Sequence, residues 1–372
     1  MNGKLVLQNG KPGKMELTSV FNGKKVFITG HTGFKGSWLL MWLRIMGAEL
    51  KGYALKPESP GDLYYSLRGD ELCQSVIADI RDIEKLTTEI LDFQPDYIFH
   101  LAAQPLVSES YLRPLYTLEV NAQGTANVLE TLRQLKNPCV AVMITTDKVY
   151  SNKEEDYHYK EDDKLGGYDP YSASKACAEI IISSYRNSFF NTAKYHEHQK
   201  SVSSARAGNV IGGGDWAKDR IIPDTVRAFS ENKEVLIRNP SAIRPWQHVL
   251  DPLYGYLLLA AKQKDDPSKY SDSFNFGPDK TDCYTVEDIV NHAIQYWGSG
   301  SIIKTGEAVK FHEAGLLQLD NSKAKNSLGW HPAMDGLAAV KKTIEWYHSV
   351  HGKTCTAREI TEGQIKEYMQ SI

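Results

Sequence analysis

No stretch of ~18 apolar residues occurs anywhere in the 372-residue chain, which excludes a membrane-spanning helix on length alone. Cysteine is scarce. The five (Cys73, Cys139, Cys177, Cys283, Cys355) are scattered, odd in number and never spaced C-x-x-C. That excludes a disulfide framework and a zinc-ribbon pattern, so no metal site is expected. The cysteines read as small buried side chains in a reducing, cytoplasmic setting. No long basic run appears and the formal net charge is -3, which excludes an electrostatic footprint for nucleic acid. The opening "MNGKLVLQNGKPGK" lacks an apolar signal core and a cleavage pattern. Residues 1–20 are expected to be a polar, poorly ordered leader.

Apolar residues make up 41% of the chain and charged residues 24%, enough for a sizeable core. From Lys24 onward the text alternates. "KKVFIT", "ELKGYAL", "SVIADI", "PDYIFHLAA", "VAVMITT" and "SVSSARAGNV" read as strands. Between them "SWLLMWLRIM", "RDIEKLTTEILDF", "NAQGTANVLETLRQL" and "YSASKACAEIIISSYRNSFF" read as helices. Alternation with short links predicts βαβ units and a doubly wound parallel sheet, an α/β fold. After about residue 206, Gly212-Gly213-Gly214, Pro223, Pro240, Pro245 and Pro252 break the pattern into loops and short helices. Residues 21–205 plus about 243–275 are expected to form the sheet domain. Residues 206–242 plus about 276–372 are expected to form a second, smaller lobe.

Three stretches carry chemistry. "TGHTGFKG" places Gly30, Gly33 and Gly36 between the first strand and its helix. Backbone without side chains can approach a pyrophosphate there, and the helix N-terminus supplies amide donors. Asp79 ends the third strand and "HLAAQ" the fourth, both at the edge where a dinucleotide lies. An acid is expected about 20 residues beyond the glycines to hold the ribose. Lys56 sits in that region and Glu58 slightly late, so the residues alone leave NAD and NADP both open. In "YDPYSASKACAE", Tyr171 and Lys175 stand at i, i+4 and share a helix face. A cation beside a phenol favours the phenolate, which could take a proton from a sugar hydroxyl. "VAVMITTDKVYS" ends a buried strand in Thr145, Thr146, Asp147 and Lys148, at the edge where open α/β sheets bind ligands. Arg220, Arg238 and Arg244 follow "RAGNVIGGGDW" closely, and guanidinium forks suit phosphate oxygens.

On these motifs the chain resembles the extended short-chain dehydrogenase/reductases that modify nucleotide sugars, from about Phe21 to its end. The strings "GHTGFKGSWL", "AGNVIGGGDWA", "IRPWQHV" and "LGWHP" are similar to those of the CDP-glucose 4,6-dehydratase family. The resemblance implies a Rossmann-type domain, a C-terminal lobe of mixed structure that binds the nucleotide sugar, and NAD as cofactor. It implies a cytoplasmic homodimer, or a dimer of dimers, built on the helices around 121–135 and 171–190. Cofactor contacts are expected from Gly30, Thr32, Gly33, Phe34, Gly36, Asp79, Ile80, Leu101, Ala102, Ala103 and Thr145, and from Tyr171 and Lys175. Gln104, Asn209, Arg220, Arg238 and Arg244 are expected on the substrate, CDP-glucose.

By the same resemblance Thr146 bonds the carbon 4 oxygen and Asp147 protonates the leaving hydroxyl of carbon 6. Lys148 stands where most dehydratases of the branch carry glutamate. It acts there either as the base at carbon 5 or as a cation beside an enolate. Ser108-Glu109 and Gly315 depart from the family pattern. A 4,6-dehydratase of another nucleotide-hexose, a nucleotide-sugar 4-epimerase and a non-catalytic dinucleotide sensor are the competing readings. The Asp147/Lys148 pair disfavours the last two.

Overall fold

The structure is a computed structural model and describes residues 14–280, 282, 284–304 and 316–372. It opens with α1 (Lys14–Phe21), within the stretch expected to be a disordered leader. Leu17 and Phe21 are buried, and the Phe21 ring stands 4.9 Å from that of Tyr97. Two apolar anchors in a polar stretch suffice to dock this helix, too few to register as a periodic face. Residues 1–13 lie outside the described residues.

Seven strands form the central sheet: β1 (Lys25–Thr29), β2 (Glu49–Ala54), β3 (Gln74–Ile77), β4 (Tyr97–His100), β5 (Cys139–Ile144), β6 (Lys200–Ala207) and β7 (Ser273–Phe276). Their order is β7-β6-β5-β4-β1-β2-β3, and every neighbouring pair is parallel. The first six match the predicted strands within a few residues. β7 comes from "FNFGP", which had not been read as a strand. The helices α2 (Phe34–Ile45), α3 (Ile83–Phe93), α4 (Gly124–Gln134) and α5 (Pro170–Ser188) are the crossovers. β5 is buried along its whole length, as expected of a central strand covered on both faces.

The chain order reverses between β1 and β4, so a crevice opens at their carboxyl ends. Beyond β6 the chain forms α6 (Ile221–Ser230), α7 (Leu250–Asp265), α8 (Val286–Trp297), α9 (Gly336–His351) and α10 (Ala357–Ser371). α10, expected in the second lobe, packs both on α9, where the Trp346 indole donates to Thr361 at 2.9 Å, and on α2, with the Tyr368 and Trp42 rings 5.5 Å apart. Among the described residues no helix is long and apolar enough to cross a membrane.

One buried acid here sets a pH dependence of stability. Asp251 on α7 accepts from the Ala333 amide (2.7 Å) and the Tyr368 hydroxyl (2.8 Å), both through Oδ1. Burial pushes its carboxyl up to about 7. Between the unfolded value of ~3.9 and that point, the folded chain keeps a proton the unfolded chain has released. Stability therefore falls as pH rises through this window. Thermal melts from pH 5 to 8 should show a smaller decline for Asp251→Asn than for the wild type. An equal decline would assign the dependence to other groups.

Candidate active site

A cleft of about 910 Å³ lies along the carboxyl edge of the sheet. Every site residue expected above lines it except Gln104. At one end is the glycine turn. Gly30 has φ +75°, and a Cβ there would stand 2.7 Å from the Ala102 amide nitrogen. A Cβ on Gly36 would stand 2.1 Å from the Gly30 carbonyl oxygen. Both positions therefore require glycine for β1, α2 and the β4 loop to approach this closely. Gly33 is exposed to the cleft, so its backbone faces the crevice without a side chain. Behind the turn, Thr29 and His100 share a hydrogen bond of 2.7 Å, and His100 and Thr125 one of 3.1 Å. Burial, with Lys175 nearby, lowers His100 to about 3 and keeps it neutral. Past β2, Glu58 lines the cleft and Lys56 does not, which favours ribose hydroxyls over a ribose phosphate. Asp79 stays ionised because the Arg81 guanidinium bonds both its oxygens.

The carboxyl end of β5 forms the middle of the cleft. The chain turns at once into a single helical turn over Asp147–Val149, with Thr146 as its cap. Thr146 Oγ1 accepts from the Lys148 amide (3.4 Å) and donates to Asp147 Oδ1 (2.9 Å). Asp147 is only 3% exposed. A Cβ on Gly208 would stand 2.8 Å from Asp147 Oδ2, so glycine there leaves the carboxylate its space. Lys148 is half-buried in the cleft wall and, among the described residues, makes no ion pair with Asp147.

α5 supplies the facing wall. Asp169 caps it, accepting from the Ser172 amide (2.9 Å) and hydroxyl (2.6 Å), with Pro170 at the first helical position. Tyr171 and Lys175 are both buried and both line the cleft. Lys175 Nζ donates to the Ile144 carbonyl at 3.3 Å. Burial lowers its amine to about 8, with Glu179 acting in the opposite direction. The sequence predicts that the cation lowers the phenol. In the structure burial wins and pushes Tyr171 up to about 12, with the Thr146 hydroxyl beside it working against that. Tyr168, 80% exposed, takes no part.

The far wall carries the arginines. Arg220 bonds Asp215 at 2.7 Å, and Arg238 bonds Asp219 at 3.2 Å. Ser108 also donates to Asp219, at 3.2 Å. Asn209 and Arg244 line the same wall. Gln104 departs from expectation. Its amide is spent on its near neighbour Leu106 and on Thr117 of the helix Pro114–Leu118, and Asn121 bonds its backbone on both sides. Asn121 lies in a π-turn (Glu119–Gln123) ahead of α4, where one long helix had been expected. Asp320 does not line the cleft and pairs with Lys280 at 3.1 Å. Gly315 lies outside the described residues.

Lys35 was missed by the sequence reading. It is the second residue of α2 and points into the cleft. Burial, Arg220 and Lys175 lower its amine to about 7 against the pull of Asp147 and Asp215. Its place in the glycine motif could have flagged it. Cys139 is buried, whereas Cys177 and Cys355 are exposed, against the expectation of buried thiols.

A seven-stranded parallel sheet with a glycine turn after its first strand and a Tyr/Lys helix face beside its fifth defines a Rossmann-type fold of the short-chain dehydrogenase/reductase class. The family model described as GDP-mannose 4,6 dehydratase matches residues 27–343, and the chain belongs to that family. It is 49% identical over 347 residues to the CDP-glucose 4,6-dehydratase of Salmonella typhimurium, covering 92% of this chain and 96% of that protein. A solved dTDP-glucose 4,6-dehydratase from Streptomyces venezuelae, with NAD and TYD bound, superimposes with a TM-score of 0.75 at 22% identity. That match covers 88% of this chain and 98% of the other. The UDP-glucose 4-epimerase of Thermotoga maritima follows at 0.74 and 19%, over 88% and 99% of the two chains. At these identities the solved structures speak for the fold.

Proposed function

We propose that this protein is an NAD-dependent CDP-glucose 4,6-dehydratase. It converts CDP-D-glucose to CDP-4-dehydro-6-deoxy-D-glucose and water. The observation that carries this reading is the Thr146-Asp147-Lys148 strand end facing Tyr171 in one cleft. An epimerase needs a single oxidation at carbon 4, whereas elimination across carbons 5 and 6 needs two further acid/base groups. The 49% identity to a CDP-glucose 4,6-dehydratase supports the choice of nucleotide.

The cleft fits NAD. The glycine backbone and the start of α2 suit its pyrophosphate, Glu58 a ribose, and Lys175 the nicotinamide ribose. When bound, NAD supplies the acceptor for the hydride from carbon 4 and the donor that returns it to carbon 6. Tyr171 acts as its phenolate and takes the proton of the carbon 4 hydroxyl; with Asp147 carrying the proton it later gives up, Thr146 is free to donate its own hydrogen to that oxygen. The carbonyl so formed acidifies the proton on carbon 5. Lys148 stands to receive that proton, and Asp147 gives its own to the carbon 6 hydroxyl, which leaves as water; Lys148 then returns the proton to carbon 5 as the hydride reaches carbon 6. Arg220, Arg238, Arg244 and Asn209 hold the diphosphate.

The protein works as a cytoplasmic homodimer, in the supply of deoxysugars for a bacterial surface polysaccharide such as O-antigen. The exposed apolar side chains of Ile180 on α5, of Phe189 at its C-terminal cap, and of Leu112 and Leu115 nearby, support that dimer face. Incubation with CDP-, UDP-, GDP- and dTDP-glucose, followed by alkali, tests the function. CDP-glucose should give the chromophore of a 4-keto-6-deoxy sugar. A 4-epimer and no chromophore from any of the four would sink the proposal.

A further inference from the structure

We propose that the buried Glu179–Arg206 pair is a positioning clamp for the reaction. It grips both ends of the segment carrying Thr146, Asp147 and Lys148, and Glu179 is also the counter-charge of Lys175. This rests on the catalytic reading of that segment given above.

Glu179 lies one helical turn beyond Lys175 on α5 and is 2% exposed. Its Oε1 accepts from Thr145 Oγ1 at 2.5 Å, and its Oε2 accepts from Ser204 Oγ (2.9 Å) and Arg206 Nη2 (2.8 Å). Arg206, on β6, uses its other terminal nitrogen to donate to the Tyr150 hydroxyl (2.8 Å) and the Glu161 carbonyl (2.9 Å). Tyr150 in turn donates to Asn275 on β7 (2.7 Å). Thr145 and Tyr150 bracket Thr146–Val149. One ion pair therefore holds the catalytic turn at its entry and at its exit, and ties both to β6, β7 and α5. A buried pair is weak evidence for stability, since an apolar pair of similar volume often serves as well. These partners are instead the residues that flank the chemistry.

The charge has a second effect. Lys175 is faced by Tyr171 and Glu179 on its own helix, by His100 from β4 and by Lys35 from α2. His100 is neutral, burial keeps Tyr171 a phenol, and Lys35 opposes the ammonium. Glu179 is the group that holds the proton on Lys175 against burial. Around Glu179 itself stand Arg206 and, on the same helix, Arg186.

Glu179→Gln leaves Arg206 buried without its partner and risks misfolding. The test therefore pairs Glu179→Gln/Arg206→Met, which removes both charges, with Tyr150→Phe, which cuts only the exit grip. In the double variant kcat should fall by roughly tenfold or more while KM changes little, as expected for misplaced catalytic groups. Its alkaline limb should move to lower pH by about one unit, the direction for a lysine that loses a nearby anion. Cofactor affinity, read by calorimetry with NAD alone, should fall off at a correspondingly lower pH. Tyr150→Phe should lower kcat with the alkaline limb in place. Folded variants with wild-type kcat and pH limb would reduce the pair to a structural role and overturn the proposal. If the double variant does not fold, unchanged kcat in Tyr150→Phe overturns the clamp on its own.

Discussion

Tyr171→Phe should lower kcat/KM by roughly 10²- to 10⁴-fold, the range for removing a positioned general base. Tyr171 is placed to take a proton from carbon 4's hydroxyl, which it does as the phenolate. Burial holds the phenol up to about 12, with the Thr146 hydroxyl working against that. Removing that hydroxyl leaves the ring, the packing of α5 and the Asp169 cap in place, so the fold should be unaffected. Because the loss precedes all later chemistry, no reduced nicotinamide should accumulate in a stopped-flow trace with CDP-glucose. Any limb of the pH profile that comes from phenol ionisation should vanish with it. Normal reduction of the cofactor in this variant would move the base elsewhere.

Lys148→Ala should lose turnover by a similar roughly 10²- to 10⁴-fold, but at a different stage. Tyr171 and Lys175 are intact in it, so the oxidation at carbon 4 proceeds and the absorbance of reduced nicotinamide should appear in one burst. Elimination across carbons 5 and 6 then stalls, and product trapped in alkali should be nearly absent. Wild-type turnover would assign the carbon 5 proton to another group. Lys148→Glu separates the two roles open to the lysine. If the amine is the base, a carboxylate in its place restores part of the turnover, since both accept a proton. If the amine acts as a cation beside an enolate, the carboxylate repels that charge and the variant is worse than alanine.

Much of this site was legible in one dimension because its groups sit in local motifs. The glycine turn is set by consecutive residues, and a strand that ends in Thr-Thr-Asp-Lys announces itself by where its apolar run stops. The Tyr171/Lys175 face follows from helical spacing alone. Gln104 misled for the complementary reason. The resemblance put it on the substrate, but Leu106 and Thr117 satisfy its amide, and neither contact has a sequence signature. Lys35 was overlooked because a lysine inside a glycine turn reads as solvated until the arginine wall is known to lie across from it. α1 was misjudged because its docking depends on a few buried side chains, such as Phe21, set against distant partners.

By itself the sequence determined the parallel sheet, and it put an acid and an amine at a strand end and a phenol on a helix face. Periodicity and spacing act over one or two helical turns, and those features are no longer than that. The tertiary structure decided how they are held and charged. Glu179 reaches Thr145 across 34 positions and Arg206 across 27, and it is their convergence that sets the turn and the proton on Lys175. Burial, which no single stretch of sequence contains, raises Tyr171 and lowers Lys175 and Lys35.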